Sequence, residues 1–320
     1  MSDLDIPPSP SWGGTGREAA RVGESGITTT PRDRPPTPPP GPPGHPPHEG
    51  EGSKTHRDEN FPVGSFLIAA RHRPVVLAFY RVARMADDVA DHATAPPEEK
   101  LARLAAIERS LVGADDGVVE AARLRRVLDE RGLTNRHVLD LLEAFRRDVT
   151  KTRYADWADL MDYCRYSAAP VGRFMLDVHG EAAATWPASD ALCAALQVIN
   201  HLQDCGKDYR ELGRVYVPLD VLPDVTALGA TKSSDALRAV ITTLAERTQG
   251  LLADARPLAA SVRDLRLALE IGVIQRLAES LTRRLIRRDP LSERVHHRPI
   301  EALGVALLGA AGVLGHRRTP

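Results

Sequence analysis

The stretch "FYRVARMADDVADH", residues 79–92, decides how the chain is to be read. It places three aspartates, Asp87, Asp88 and Asp91, within five positions just after Arg84. Aspartate is a weak helix former, yet the surrounding residues follow a helical pattern. Residues spaced i, i+4, i+7 and i+11 share one helical face, and Tyr80, Arg84, Asp87 and Asp91 have that spacing. Asp88 is turned about 100° from Asp87, which makes it an ion-pairing or supporting residue. The flanks carry Phe79, Val82, Ala83, Met85, Ala86 and Val89, so the charges sit among side chains that favour burial. Buried charges must be paired or must hold a metal. Taken alone, the stretch leaves an ion-paired face and a Mg²⁺ site both open.

Working outward, helical periodicity runs almost unbroken from residue 57, and alternating strand patterns are nearly absent. The pattern predicts helices over 61–69, 74–92, 97–112, 116–131, 134–149, 156–180, 188–211, 233–255, 257–287 and 299–314. The separators, such as "HATAPP", "VGADDG" and "RRDP", are turn and helix-stop signals. The expected fold is all-α. A helical domain spans 57–298, and an apolar helix with a basic end occupies 299–320. Residues 1–56 stand apart, holding thirteen of the 25 prolines, and read as a disordered tail with polyproline II character.

Bulk properties narrow the function. A net charge of -1 argues against a dedicated nucleic-acid binder. Cys164, Cys193 and Cys205 are too scattered for a disulfide framework or zinc cluster, and they fit a reducing, cytoplasmic setting. No apolar run reaches the roughly 18 residues of a membrane span. The segment "IEALGVALLGAAGVLG", 300–315, has two readings. It is a packed terminal helix, or it makes a peripheral membrane contact aided by Arg287, Arg288, His296, His297, Arg317 and Arg318.

A second stretch, "QVINHLQDCGKDYRELGRVYVP" at 197–218, settles the aspartate question in favour of metal. Asn200, Asp204 and Asp208 fall at i, i+4 and i+8 on one helical face, 117 residues beyond the first pair (204 minus 87). Two opposed carboxylate pairs in a helical core are what a cluster of Mg²⁺ ions bound to a diphosphate requires. Mg²⁺ prefers a few carboxylates plus phosphate oxygens to an all-protein cage. Between the two lies "DYCRYSAAPVGRFMLDVHGE", 162–181, with Tyr163, Ser167, Pro170, Val171 and Phe174 on or near one face. Its small residues, Ser167, Ala168, Ala169 and Gly172, permit close approach by a second helix or by a long apolar substrate. Tyr163 is a core tyrosine or a stabiliser of a carbocation.

The motifs "DDVAD" and "NHLQDCGKD", with "YCRYSAAPVGR" between them and "GRVYVP" after them, resemble those of the squalene/phytoene synthases over about 57–295. Within that family, "ENFPVGS" at 59–65, "SAAPVGR" at 167–173 and Gln203 before Asp204 are similar to the hydroxysqualene synthases of the hopanoid pathway. Asn60 stands near an expected serine, and Gln203 replaces an expected arginine. Those departures point to the second half-reaction, in place of head-to-head condensation by a squalene or phytoene synthase. The resemblance implies a helical isoprenoid-synthase bundle with a central active-site cavity.

It further implies that Asp87, Asp91, Asp204 and Asp208 hold Mg²⁺. Asn60, Arg84, Asn200, Gln203 and Arg214 would bind substrate, with Arg84, Asn200 and Arg214 at the diphosphate. Tyr163 would face the cation, and Tyr80 and Tyr216 would line or close the site. The implied reaction ionises presqualene diphosphate, rearranges the cation and captures it with water to give hydroxysqualene, with no nicotinamide cofactor. Expected functional neighbours are a presqualene diphosphate synthase and a flavin-dependent oxidoreductase.

Overall fold

The computed structural model describes residues 68–297 and 299–318. Asn60, the 1–56 segment and residues 61–67 of the first expected helix lie outside the described residues. Residues 68–72 are bends and turns that lead into the first helix.

Eleven α-helices follow among the described residues. They are α1 (Arg73–Ala90), α2 (Pro97–Val112), α3 (Val119–Glu130), α4 (Arg136–Thr150), α5 (Trp157–Ser167) and α6 (Ala169–Val178). After these come α7 (Trp186–Lys207), α8 (Asp235–Ala255), α9 (Leu258–Ser261), α10 (Leu265–Arg287) and α11 (Pro299–Arg318). No β-strand occurs among the described residues, and the isolated parallel bridge Arg153–Val215 is the only extended pairing.

Two expected helices are broken, each for a local reason. The 156–180 helix divides at Ala168, where φ is -125° and ψ -48°. Pro170, at the start of α6, has no N–H to continue the ladder of α5. The 257–287 helix divides between α9 and α10. There Asp264 caps α10 by accepting from the Arg266 and Leu267 amides at 2.9 and 3.0 Å. The buried Glu181 carboxylate takes the Arg263 and Asp264 amides, each at 2.9 Å, so a remote side chain satisfies the donors that the break frees.

The apolar residues divide into two cores. One joins α1 to α4 through Phe79, Val82, Leu104, Leu124 and Leu141. Its lid is α6, whose Phe174 ring stacks on Phe79 with centroids 3.9 Å apart. The other is built from α5, α7, α8 and α10 around Ile199, Leu202, Ile241, Leu244 and Leu281. Helix α6 serves both, because Phe174 and Val178 belong to the first core and Leu176 to the second. A Cβ on Gly172 would stand 2.4 Å from Ser189 Oγ and 2.6 Å from Cys193 Sγ. Of the two readings of the small-residue stretch, close helix packing is therefore the one seen at Gly172, between α6 and α7.

The terminal helix packs antiparallel on α10. Arg284 of α10 pairs with Glu301 near the start of α11 at 2.9 Å, and Gly272 meets Gly309 farther along. A Cβ on Gly309 would lie 2.5 Å from the Gly272 carbonyl oxygen and 2.8 Å from Val273 Cα. That crossing brings two backbones into contact, and glycine on both sides allows it. Leu307, Leu308 and Leu314 are left exposed. No helix of the described residues is long and apolar enough to cross a membrane.

Candidate active site

The first aspartate stretch lies in the last two turns of α1. Arg84 donates to Asp87 Oδ2 and to Asp88 Oδ1, each at 2.8 Å, so one guanidinium spans the i+3 and i+4 positions. Asp88 is the most exposed of the three acids and serves as an ion-pair partner. Asp91 is the C-cap of α1, and its amide bonds the Asp87 carbonyl at 2.9 Å. Its carboxylate accepts from Arg214 Nη1 at 2.5 Å. Tyr80 is half-buried, one turn before Arg84.

The second stretch ends α7. Asn200 and Asp204 lie in the final turns, half-buried, and Asp208 is the C-cap. The backbone then widens into a π-helical turn, Asp208–Leu212, and reverses at Gly213, where φ is +62°. An L side chain rarely adopts that φ, so glycine is needed at the reversal. The reversal brings the Arg214 amide within 3.1 Å of the Asp208 carbonyl.

Arg214 therefore ties the two stretches together, its main chain to Asp208 and its side chain to Asp91. It is buried, at 7% exposure, and fully engaged. Nη2 reaches the Ala90 carbonyl at 3.2 Å and Nε the Asp148 carbonyl at 3.1 Å. Lys100 Nζ also donates to the Ala90 carbonyl, at 3.0 Å.

Behind this junction lies a polar cluster inside the core. Asp148 of α4 is 8% exposed. It accepts from Tyr163 Oη with both carboxylate oxygens and from Tyr216 Oη with Oδ1, all at 2.9 Å. Burial pushes its carboxyl up to about 6, against the opposing pull of Arg214 and the two phenols. Burial also raises both phenols well above the usual tyrosine range. Tyr154 stacks on Tyr216 at 5.5 Å, and His201 stacks on Tyr216 at 3.6 Å. His201 Nδ1 lies 4.0 Å from Asp208 Oδ2, which joins the tyrosine cluster to the second aspartate stretch.

Of the residues expected at a site, Arg84, Asp87, Asp91, Asp208 and Arg214 are joined directly or through Arg214. Tyr163 and Tyr216 meet at Asp148. Tyr216 is stacked between His201 and Tyr154. Gln203 is buried and donates to the Val295 carbonyl, tethering the chain beyond α10 to α7.

Asp148 and His201 were not among the expected site residues. The signal for Asp148 is its place on the stripe of α4 that buries Val138, Leu141 and Ala144, where an acid needs partners. For His201 the signal is its position directly after Asn200, inside the aspartate motif.

Each pair supplies two hard carboxylate oxygen donors one helical turn apart. No group of three or more His, Cys, Asp or Glu side chains forms a ready metal cage among the described residues. This donor set suits Mg²⁺, which accepts one or two carboxylates and completes its shell with water and phosphate oxygens. Asp87 and Asp91 on one side and Asp204 and Asp208 on the other are the residues that would hold it.

An all-helical bundle with aspartate pairs closing two of its helices is the build of an isoprenoid synthase. The chain belongs to the squalene/phytoene synthase family, whose model matches residues 54–301. It is 58% identical over 266 residues to the hydroxysqualene synthase of Rhodopseudomonas palustris, covering 82% of this chain and 91% of that one. To the hydroxysqualene synthase of Zymomonas mobilis it is 54% identical over 267 residues, covering 82% of this chain and 90% of that one. Among solved structures it is similar to squalene synthase HpnC from Alicyclobacillus acidocaldarius. That match has a TM-score of 0.63 at 32% identity over 70% of this chain and 87% of the other.

Proposed function

We propose that the chain is a hydroxysqualene synthase, converting presqualene diphosphate and water to hydroxysqualene and diphosphate. The observation that carries this reading is identity above one half, over nine-tenths of their length, to relatives of that name. Both aspartate pairs are intact and lie at helix ends linked by Arg214, as a diphosphate-handling site requires.

In this reading Asp87, Asp91, Asp204 and Asp208 hold Mg²⁺, which when bound neutralises charge on the leaving diphosphate. Arg84 and Arg214 are poised to exchange a carboxylate partner for a diphosphate oxygen, a charge-assisted contact of similar strength. The Asn200 amide supplies a neutral donor. Loss of diphosphate breaks the C–O bond and leaves a cyclopropylcarbinyl cation. Tyr163 supports that cation with its ring face and phenol dipole. Water adds to the rearranged cation and loses a proton, so no hydride donor is consumed.

The apolar substrate and product dissolve in membranes. We therefore propose that the exposed leucines of α11 rest on a lipid surface, an arrangement consistent with a cytoplasmic enzyme bound peripherally. A presqualene diphosphate synthase would supply the substrate, and a flavin-dependent oxidoreductase would consume the product.

The test is incubation of the full chain with Mg²⁺ and either presqualene diphosphate or farnesyl diphosphate. Hydroxysqualene from the first and no product from the second is expected. Squalene, phytoene or presqualene diphosphate from farnesyl diphosphate alone would overturn the reading in favour of head-to-head condensation.

A further inference from the structure

Asp148 has more partners than a packing residue needs. It stands at the C-terminal end of the apolar stripe of α4, nearly enclosed. An isolated carboxylate there would be costly, and a methionine or leucine would fill the space without cost. Instead its side chain accepts from two phenols that reach it from different parts of the chain, Tyr163 on α5 and Tyr216 beyond the Gly213 reversal. Its own carbonyl accepts from Arg214 Nε at 3.1 Å.

The chemistry of a phenol makes this arrangement directional. Each phenol has one hydroxyl hydrogen, and Asp148 takes both. Neither Tyr163 nor Tyr216 then has a proton to give a substrate. The two hydroxyls also interact with each other, so their dipoles are held as one cluster with its protons turned inward. A hydrogen bond to a carboxylate also draws electron density onto the phenol oxygen. A tyrosine whose hydroxyl is free to rotate would not hold that orientation.

We infer that Asp148 is a positioning residue for the cation half of the reaction, fixing the hydroxyls of Tyr163 and Tyr216 as one cluster that has no proton to give. The inference rests on the reading of Tyr163 as the cation-facing residue. Because its contacts to Tyr163 and Tyr216 come from the side chain and its contact to Arg214 from the main chain, substitution separates the two. Asparagine keeps the volume and the carbonyl bond to Arg214, but it puts an amide NH2, with two N–H donors and no acceptor, in place of one carboxylate oxygen. It removes the charge that orients both phenols and one of the two oxygens that accept from Tyr163.

The experiment is a double-mutant cycle between Asp148→Asn and Tyr163→Phe. Steady-state constants and the full product spectrum are measured on whichever prenyl diphosphate the wild type turns over. Failure of the hydroxysqualene reading thus appears in the wild type and leaves this test standing. Asp148→Asn is expected to lower kcat roughly 10²-fold, as a misplaced catalytic contact does, and to move KM less than about threefold. It should also divert product toward alkenes formed by proton loss. In the Tyr163→Phe background the same change should have a smaller effect than in the wild type, the remainder acting through Tyr216. Should Asp148→Asn not fold by circular dichroism, Tyr163→Phe and Tyr216→Phe form the cycle, with a double variant no slower than the worse single. Independent, multiplicative effects with an unchanged product spectrum, or a loss confined to KM, would overturn the inference.

Discussion

Arg214 and Asp91 are 123 residues apart in the chain and 2.5 Å apart in space, and both are largely withdrawn from solvent. The ion pair Arg71–Asp264 spans more sequence, but it is longer, at 3.6 Å, and its arginine is exposed. The Arg214–Asp91 pair joins the end of α1 to the reversal after α7, the two places where carboxylates collect. Arg214→Gln would leave the Asp91 carboxylate and the Ala90 and Asp148 carbonyls without this donor. Unfolding in urea should show a loss of about 3 kcal/mol, the usual cost of breaking a buried pair from one side. Arg214→Lys should recover only part of it, because one ammonium cannot reproduce three separate guanidinium contacts.

The aspartate pairs should be separable from the fold. Asp87→Asn and Asp204→Asn are each expected to reduce turnover of presqualene diphosphate by at least about 10²-fold, the scale of losing a preorganised electrostatic contact. Far-UV circular dichroism should stay at the wild-type value, since both side chains are partly exposed and lie at helix ends. Wild-type activity in either variant would refute the metal assignment.

Asp148 should leave a mark on stability against pH. Burial raises its carboxyl from 3.8 to about 6, so the folded protein binds this proton more tightly than the unfolded chain. The contribution is therefore full below about pH 4 and is lost as pH rises through about 6, amounting to about 3 kcal/mol. Asp148→Asn has no such proton. The stability difference between wild type and variant should fall by that amount from pH 4 to pH 7 and then level off. A flat difference over that range would refute the shift.

The glycine crossing of α10 and α11 gives a test with its own control. Gly309→Val places new atoms against the backbone of Gly272 and Val273, which cannot rotate away. A loss of about 1–3 kcal/mol in thermal or urea unfolding is expected from overpacking. Gly304→Ala, on the same helix with nothing within 4 Å of the added Cβ, should be neutral or slightly stabilising.

The outer face of α11 is expected to govern lipid contact without touching stability. A Leu307→Ser, Leu308→Ser double variant should sediment less with anionic phospholipid vesicles than the wild type does. Its melting temperature should be unchanged. Equal sedimentation of the two proteins would remove α11 as the contact.

Where local signals determined the structure, the sequence could be read closely. Helix α2 runs from Pro97 to Val112 as expected, because a proline opens it and Gly113 closes it. The pairs Asp87–Asp91 and Asp204–Asp208 were legible because a helix places such spacings on one face. What escaped depended on distant partners. The break before α10 needs Glu181, some 80 residues earlier, to receive two amides. The break at Ala168 did have a local signal, Pro170, outweighed by the apolar periodicity on either side. The pairing of Asp148 had no local signal, because its phenol partners lie 15 and 68 residues away. The contact of Gln203 with the Val295 carbonyl, far along the chain, likewise had no local signal.

Asp91 caps α1 and Asp208 caps α7, so the last acid of each pair stands at the C-terminal end of a helix. Such an end carries about half a negative elementary charge from its aligned peptides, and an acid there is placed against the local field. Two helix ends and the acids that cap them thus add their potentials on either side of Arg214. A diphosphate arriving alone would be repelled by that field, whereas a divalent cation would be drawn in. On the proposed metal assignment, cations would load first or travel with the substrate, and a bare diphosphate would be turned away.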